Sequence, residues 1–326
     1  PNAGYPSTRA AVASHLEKHT GIPYTGDSVV MTVGAGGGLN VAFKGLLDEG
    51  DEVICLTPYF VEYRFYITNH GGKIVLVPTD AGFRPDPEAI KAAITPKTRA
   101  VVVNSPNNPS GVVYSAADYD AVAAVLTEAS EAQGRPIYLI TDEPYRAIAY
   151  DGVDVPWVQK HYLDTIHITS FSKDLAMPGE RIGYIAVNPA SEGAAQMVGA
   201  FTFANRVLGF VNAPALQQRL IEGLLDVTVD LAGYADKRTR LLAALDASGY
   251  ETVRPEGAFY IFPKVPGGMD DVEFVGLCLE ERLLVVPGSG FGTPGHFRLS
   301  YAVTDRDVEL AVDALKRVAD RVSAAS

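Results

Sequence analysis

The stretch Thr165-Ile166-His167-Ile168-Thr169-Ser170-Phe171-Ser172-Lys173 decides how the rest of the chain is read. An apolar run, Thr165 to Thr169, leads straight into two serines and a lysine. Pro178-Gly179-Glu180-Arg181-Ile182-Gly183-Tyr184 follows shortly after. A lysine held at the end of a buried strand has few reasons to be there unless its amine is used, because most lysines stay in water. Hydroxyls before it and an arginine after it suit a covalent aldehyde cofactor. The amine would form a Schiff base, while Ser170, Ser172 and Arg181 would hold a phosphate.

Working outward, further apolar, β-branched runs give strand candidates at Val29–Val33, Glu52–Leu56, Lys73–Val77, Ala100–Asn104, Ile137–Thr141 and Ile182–Val187. Helical patterns sit between several of them, such as Leu39–Leu47 and Ala116–Gln133. Ser115 is placed to cap the second, and Gly134 to close it. Continuous apolar strands interleaved with helices predict an α/β protein: a mostly parallel, seven-stranded sheet in a three-layer arrangement, buried on both faces. A long helical stretch is expected from about Ala213 to Leu245. Beyond it the pattern changes to short strands near Ala258–Phe262, Leu283–Val286 and Phe297–Ala302 around a helix at Val272–Arg282. Thr304 and Asp307 resemble a capping box opening a last helix. Residues 1–235 are therefore expected to form a large cofactor-binding domain, and 236–326 a smaller α+β C-terminal domain.

Other motifs follow the strand candidates in order. Val33-Gly34-Ala35-Gly36-Gly37-Gly38 leaves a strand and opens a helix, so it can seat a phosphate on free N–H groups; tight packing is the alternative. It is no Walker loop, since no Gly-Lys-Ser/Thr follows. It is a poor dinucleotide fingerprint, since Leu39 stands where a third glycine belongs. Phe60, in Pro58-Tyr59-Phe60, could stack on a flat heterocycle or fill the core. Asn104-Ser105-Pro106-Asn107-Asn108-Pro109-Ser110-Gly111 makes an irregular loop at a carboxyl strand end, where open α/β sheets bind ligands. Asp142, in Asp142-Glu143-Pro144-Tyr145, can face a protonated pyridine nitrogen or cap a turn, and Tyr145 can donate to a ring oxygen. Arg298, inside the apolar strand Phe297-Arg298-Leu299-Ser300, needs an anion: a substrate carboxylate or a protein one.

The 326 residues carry 27 basic and 39 acidic side chains, a net charge of −12, which disfavours nucleic acid and anionic membrane as partners. No apolar run reaches membrane-spanning length and no signal peptide is visible. Cys55 and Cys278 form no metal-ligand spacing and are expected to be reduced core thiols in a cytoplasmic protein. No metal site is expected. The chain starts at Pro1, so an N-terminal piece is expected to be missing.

Taken together, these pieces resemble the fold type I, class I/II pyridoxal-phosphate aminotransferases, the aspartate aminotransferase-like group. The resemblance is carried by Thr32-Val33-Gly34-Ala35, Pro58-Tyr59-Phe60, Asn107-Asn108-Pro109-Ser110-Gly111, Asp142-Glu143-Pro144-Tyr145, Ser170 to Tyr184 and Phe297-Arg298-Leu299-Ser300. It implies the cofactor pyridoxal 5′-phosphate and ping-pong transamination between an L-amino acid and a 2-oxo acid. Lys173 would form the Schiff base and move the substrate α-proton. Asp142 would pair with the pyridine nitrogen, Tyr145 and Asn108 with the ring oxygen, and Phe60 with the ring face. The Ala35 and Gly36 amides, Ser170, Ser172 and Arg181 would hold the phosphate, and Arg298, with Asn108, the α-carboxylate. A homodimer with active sites at the interface is also implied.

Two departures stand out. The family's tyrosine upstream of Gly4-Tyr5-Pro6, which reaches the neighbour's phosphate, lies before this chain begins. Gly36 stands where some bacterial aspartate aminotransferases carry a lysine for a side-chain carboxylate. Arg206 is a candidate substitute, and an interface salt bridge its alternative. Other readings are a lyase or decarboxylase on the same cofactor, a non-catalytic cofactor-binding module, and a nicotinamide-dependent dehydrogenase, which would leave the Lys173 cluster unexplained.

Overall fold

The computed structural model describes residues 1–325. Its first part runs α1 (Pro6–Thr20), β1 (Val29–Thr32), α2 (Gly34–Leu46), β2 (Glu52–Thr57), α3 (Glu62–Thr68), β3 (Lys73–Pro78), α4 (Pro87–Ala93), β4 (Thr98–Asn104) and α5 (Ala116–Gln133). It continues with β5 (Tyr138–Asp142), β6 (Thr165–Ser170), β7 (Gly183–Val187), α6 (Ala194–Val207) and α7 (Ala215–Ile221). The remainder is α8 (Leu231–Ala247), β8 (Tyr260–Ile261), α9 (Asp271–Glu280), β9 (Val286–Pro287), β10 (Phe297–Ser300) and α10 (Asp305–Ala325).

The seven-stranded sheet has the order β1-β7-β6-β5-β4-β2-β3. Strands β3, β2, β4, β5 and β6 run parallel, and β7 is antiparallel to both its neighbours. Side chains alternate between two helical layers, which is why the strands read as unbroken apolar runs. Val53 and Cys55 pack with α2, α3 and α6, while Ile54 and Leu56 pack with α4 and α5. A separate core joins α8, α9 and α10 to β8, β10 and β9, a three-stranded antiparallel sheet, and takes in Tyr145, Ile148 and Tyr150 from the loop after β5. Among the described residues no helix is long and apolar enough to cross a membrane.

The caps follow the expected chemistry. Ser115 and Asp118 form a reciprocal capping box, and Gly134 closes α5 in the left-handed conformation. Thr304 and Asp307 exchange bonds in the same way at α10. The single helix expected over Ala213–Leu245 is instead two. Gly223 and the β-branched Val227, Thr228 and Val229 break it, and Asp230 caps α8 by accepting from the Ala232 N–H at 3.0 Å. The short strands are also shorter than expected, β8 and β9 starting later and β10 ending sooner. Ala258 and Arg282 take positive φ (55° and 61°), and the Leu283 N–H closes α9 on the Cys278 carbonyl instead of joining a ladder.

Candidate active site

Register brings the sequence motifs together. Asn104 lies opposite Asp142 across β4 and β5, and Asp142 opposite Ile168 across β5 and β6. The Asn107–Asn108 loop, Asp142 and the Ser170–Lys173 turn therefore emerge side by side at carboxyl strand ends. Thr32 pairs with Gly183, which sets Arg181 against Gly34 at the start of α2. A cavity of about 310 Å³ is lined by Ala35, Gly36, Phe60, Asn108, Asp142, Tyr145, Ser170, Ser172, Lys173, Arg181 and Arg298. These are the residues singled out from the sequence for cofactor or substrate, except Arg206, which lies on α6 and does not line the cavity. A larger cavity, about 480 Å³, opens beside Phe83 and His296 and holds none of them.

Asp142 is buried. Its Oδ2 accepts a 2.6 Å hydrogen bond from the Tyr63 hydroxyl, and its Oδ1 has no partner. Burial pushes this carboxyl up to about 7, the Tyr63 bond pulls it back, and neighbouring Glu143 raises it again. An orphaned carboxylate oxygen at a cavity wall calls for a cationic or N–H partner.

Three cations line the same cavity. Lys173 sits in the turn after β6, its Nζ 5.5 Å from the Phe259 ring centroid and 5.9 Å from that of Tyr145. Burial lowers its pKa, and Arg181 and Arg298 lower it further. Arg298 donates through Nη1 to Asn108 Oδ1 at 2.9 Å, and its guanidinium lies over the rings of Tyr260 and Phe291 at 4.6 and 4.8 Å. Arg181 takes the left-handed conformation and donates to the Pro178 carbonyl at 2.8 Å. Small residues at the α2 N-terminus leave room for an anion. A Cβ at Gly34 would come 3.0 Å from Arg181 Nη2, and one at Gly36 3.1 Å from the Tyr66 hydroxyl.

Several contributors were not foreseen. Tyr63 and Tyr66 follow Phe60 at three-residue steps, a spacing that would have placed all three on one helical face. The Tyr260 hydroxyl lies 3.0 Å from that of Tyr145; nothing in the short strand β8 marked it out. Asn104 donates to the Asp142 carbonyl at 2.7 Å and accepts from the Asn108 N–H at 2.7 Å, locking the loop to the strand end. Buried Glu143 meets Arg146 Nε at 2.9 Å and His167 Nδ1 at 3.3 Å, which outweigh its burial and hold its carboxyl at about 2. That pair braces the strand end from behind.

The donor set as a whole — an orphaned carboxylate oxygen, a lysine of lowered pKa, and an arginine beside a glycine-rich helix start — fits a group with a cationic ring nitrogen, an aldehyde and a phosphate.

Comparison with known proteins agrees with this chemistry. A family model described as aminotransferase class I and II matches residues 1–315. The chain is 35% identical to the aspartate/prephenate aminotransferase of Thermus thermophilus, over 98% of this chain and 83% of that protein. A solved amino transferase from Eubacterium rectale superposes with a TM-score of 0.95 at 38% identity, covering 98% of this chain and 81% of that one. The T. thermophilus aspartate aminotransferase with maleate superposes at 0.88 and 34% identity, with 98% and 83% covered.

Proposed function

We infer the roles of these residues from the premise that the chain belongs to the class I and II aminotransferases, enzymes that use pyridoxal phosphate to transfer amino groups. When bound, pyridoxal phosphate supplies an aldehyde for covalent attachment and a ring that withdraws electrons. The observation that carries the reading is the partnerless Oδ1 of Asp142 at the cavity wall. Asp142 would hold the positive ring nitrogen there, with Tyr63 fixing the other carboxylate oxygen. Phe60 would serve the ring face. Tyr145 and the Asn108 side-chain amide, whose oxygen is already engaged by Arg298, serve the ring oxygen. Arg181, Ser170, Ser172 and the Ala35 and Gly36 amides hold the phosphate.

Lys173 would supply the amine that attaches the cofactor and, once the amino group of the substrate has displaced it, would serve as the base for the substrate α-proton. Its lowered pKa keeps a larger share of the amine unprotonated for both tasks. Arg298 receives the substrate α-carboxylate on its planar fork, which Asn108 and the flanking rings pre-orient.

The donor side chain recognised by this chain is apolar or aromatic rather than acidic. Within one protomer the cavity's cations are Lys173, Arg181 and Arg298, and each already has a task, while Leu39, Tyr66, Asn104, Pro144, Pro178 and Tyr260 supply the remaining walls. Glu62 adds an acidic charge near Tyr66 and Tyr260 that opposes a second carboxylate. The T. thermophilus relative is named for aspartate and prephenate, so the two readings separate cleanly in a donor panel. The chain acts as a homodimer, with exposed Phe203, Arg206 and Val207 on α6 facing a second copy. The free, buried Cys55 and Cys278 fit a reducing, cytoplasmic setting.

The test is steady-state transfer from a panel of L-amino acids to 2-oxoglutarate and pyruvate, with cofactor added. Keto-acid formation from phenylalanine or leucine, exceeding that from aspartate, is expected. Ammonia or thiol release without need of an acceptor would instead assign a lyase.

A further inference from the structure

We propose that His15, His19 and Asp226 form a binding site for one divalent transition-metal ion, zinc being the natural occupant. The site lies away from the cofactor cavity and does not depend on the aminotransferase assignment. His15 and His19 stand four residues apart on α1, so their rings share a face. Asp226 comes from the segment between α7 and α8 and reaches both. His15 Nδ1 is 3.1 Å from Asp226 Oδ1, and His19 Nε2 is 3.3 Å from the same oxygen. All three ligand atoms lie within 4.8 Å of one another. In a tetrahedral zinc site, bonds of about 2.0–2.2 Å place neighbouring ligand atoms about 3.3–3.6 Å apart. The two histidine–aspartate separations, 3.1 and 3.3 Å, already stand close to that spacing.

The two imidazole rings are 4.6 Å apart. Lys18 competes by charge, yet its Nζ bonds Oδ2, at 2.8 Å, and leaves Oδ1 to the histidines. A cavity of about 310 Å³ bordered by Ser14, His15, Glu222 and Asp226 gives a water ligand access to the fourth position. The His19 ring is stacked on Trp157, 5.4 Å between centroids, and Trp157 carries the Arg146 guanidinium at 3.6 Å, so this ligand is already oriented.

The site joins two distant parts of the chain. Three residues beyond Asp226, the Val229 N–H donates to the carbonyl of Asp174, the residue after Lys173, at 2.9 Å. A bound ion therefore fastens to α1 the segment that supports the lysine turn.

The test is calorimetric titration of zinc chloride into tag-free, cofactor-loaded protein after chelator treatment, repeated with cobalt(II) for its visible absorption. The expected result is one equivalent bound, with a dissociation constant on the order of micromolar or below, an intense cobalt band typical of four-coordination, and a higher melting temperature. His19→Ala and Asp226→Asn alter exposed side chains, and each should weaken binding by at least about 100-fold, beyond what losing an outer-shell partner costs. Circular dichroism confirms that both variants remain folded. The proposal is overturned if the parent protein takes up no stoichiometric zinc, or if the equivalent it binds survives both substitutions.

Discussion

Tyr63 donates a 2.6 Å hydrogen bond to Oδ2 of Asp142, and both groups are buried. One carboxylate oxygen is thereby fixed while Oδ1 has no partner in the protein. Tyr63→Phe keeps the ring in the core and deletes only the donor. The bond lowers the Asp142 pKa, so its loss must raise it above the value of about 7 set chiefly by burial. In the loaded enzyme the ring cation lowers the Asp142 pKa, but loss of the bond still raises it relative to the parent, so the acidic limb of the kcat profile should move upward in pH. A hydrogen bond to a charged group contributes about 1.5–3 kcal/mol, so kcat at neutral pH should fall roughly 10- to 100-fold. An unchanged profile would remove Tyr63 from the machinery.

Lys173→Ala should leave a protein that binds pyridoxal phosphate without a covalent bond. Borohydride reduction followed by peptide mapping should label position 173 in the parent and nothing in the variant. Loss of the proton-transferring amine alone predicts a fall in kcat of about 10²–10⁴. Retained turnover, or a label on another lysine, would refute the assignment.

How far the chain could be read in advance follows from where its information is local. The sheet was legible because β2, β4, β5 and β6 each spend alternate residues on two covered faces, so burial shows as unbroken apolar runs. The site was legible where chemistry-bearing residues sit at strand ends. The start of α2 was misjudged: helix was expected from Leu39, yet it begins at Gly34. Glycine is a poor helix former, and what favours it at Gly38 is tertiary: a Cβ there would fall 2.9 Å from Ile168 Cγ2. Tyr260 meets Tyr145 only through docking of the second core, which no spacing encodes. His15 and His19 were passed over because their third ligand, Asp226, lies far along the chain.

Asp174 gives a pH test of stability. Burial pushes its carboxyl up to about 7, against the pull of Arg146, and its Oδ1 has no partner. A folded-state pKa above the unfolded value means that the folded protein retains the proton longer. The associated stability is present below about pH 4 and is lost as pH rises through about 7. Asp174→Asn is neutral throughout. Relative to the parent, the cofactor-free variant should gain stability between pH 4 and 7 and hold that gain at pH 8, by a few kcal/mol and at most the roughly 4 kcal/mol that a rise in pKa from about 4 to about 7 carries, read as a higher Tm. A constant offset across that range would show that Asp174 ionises freely.

Arg298 gives a test in which binding and chemistry separate. Its guanidinium is fixed on one side by Asn108 Oδ1 at 2.9 Å and sandwiched near Tyr260 and Phe291. Arg298→Lys preserves the charge but removes the planar fork and the stacking, so the α-carboxylate loses a second parallel hydrogen bond. The lost contact exists in the ground state and in the transition state alike. The change should therefore appear mainly in KM for the amino donor, rising roughly 10- to 100-fold, with kcat altered much less. The donor and the 2-oxo acid share the carboxylate, so KM for both should rise together. Phosphate-side affinity for the cofactor should stay within about twofold, since that end rests on Arg181 and the start of α2. A fall in kcat with KM unchanged would place Arg298 in the chemical step instead, and weakened cofactor binding would place it on the phosphate side.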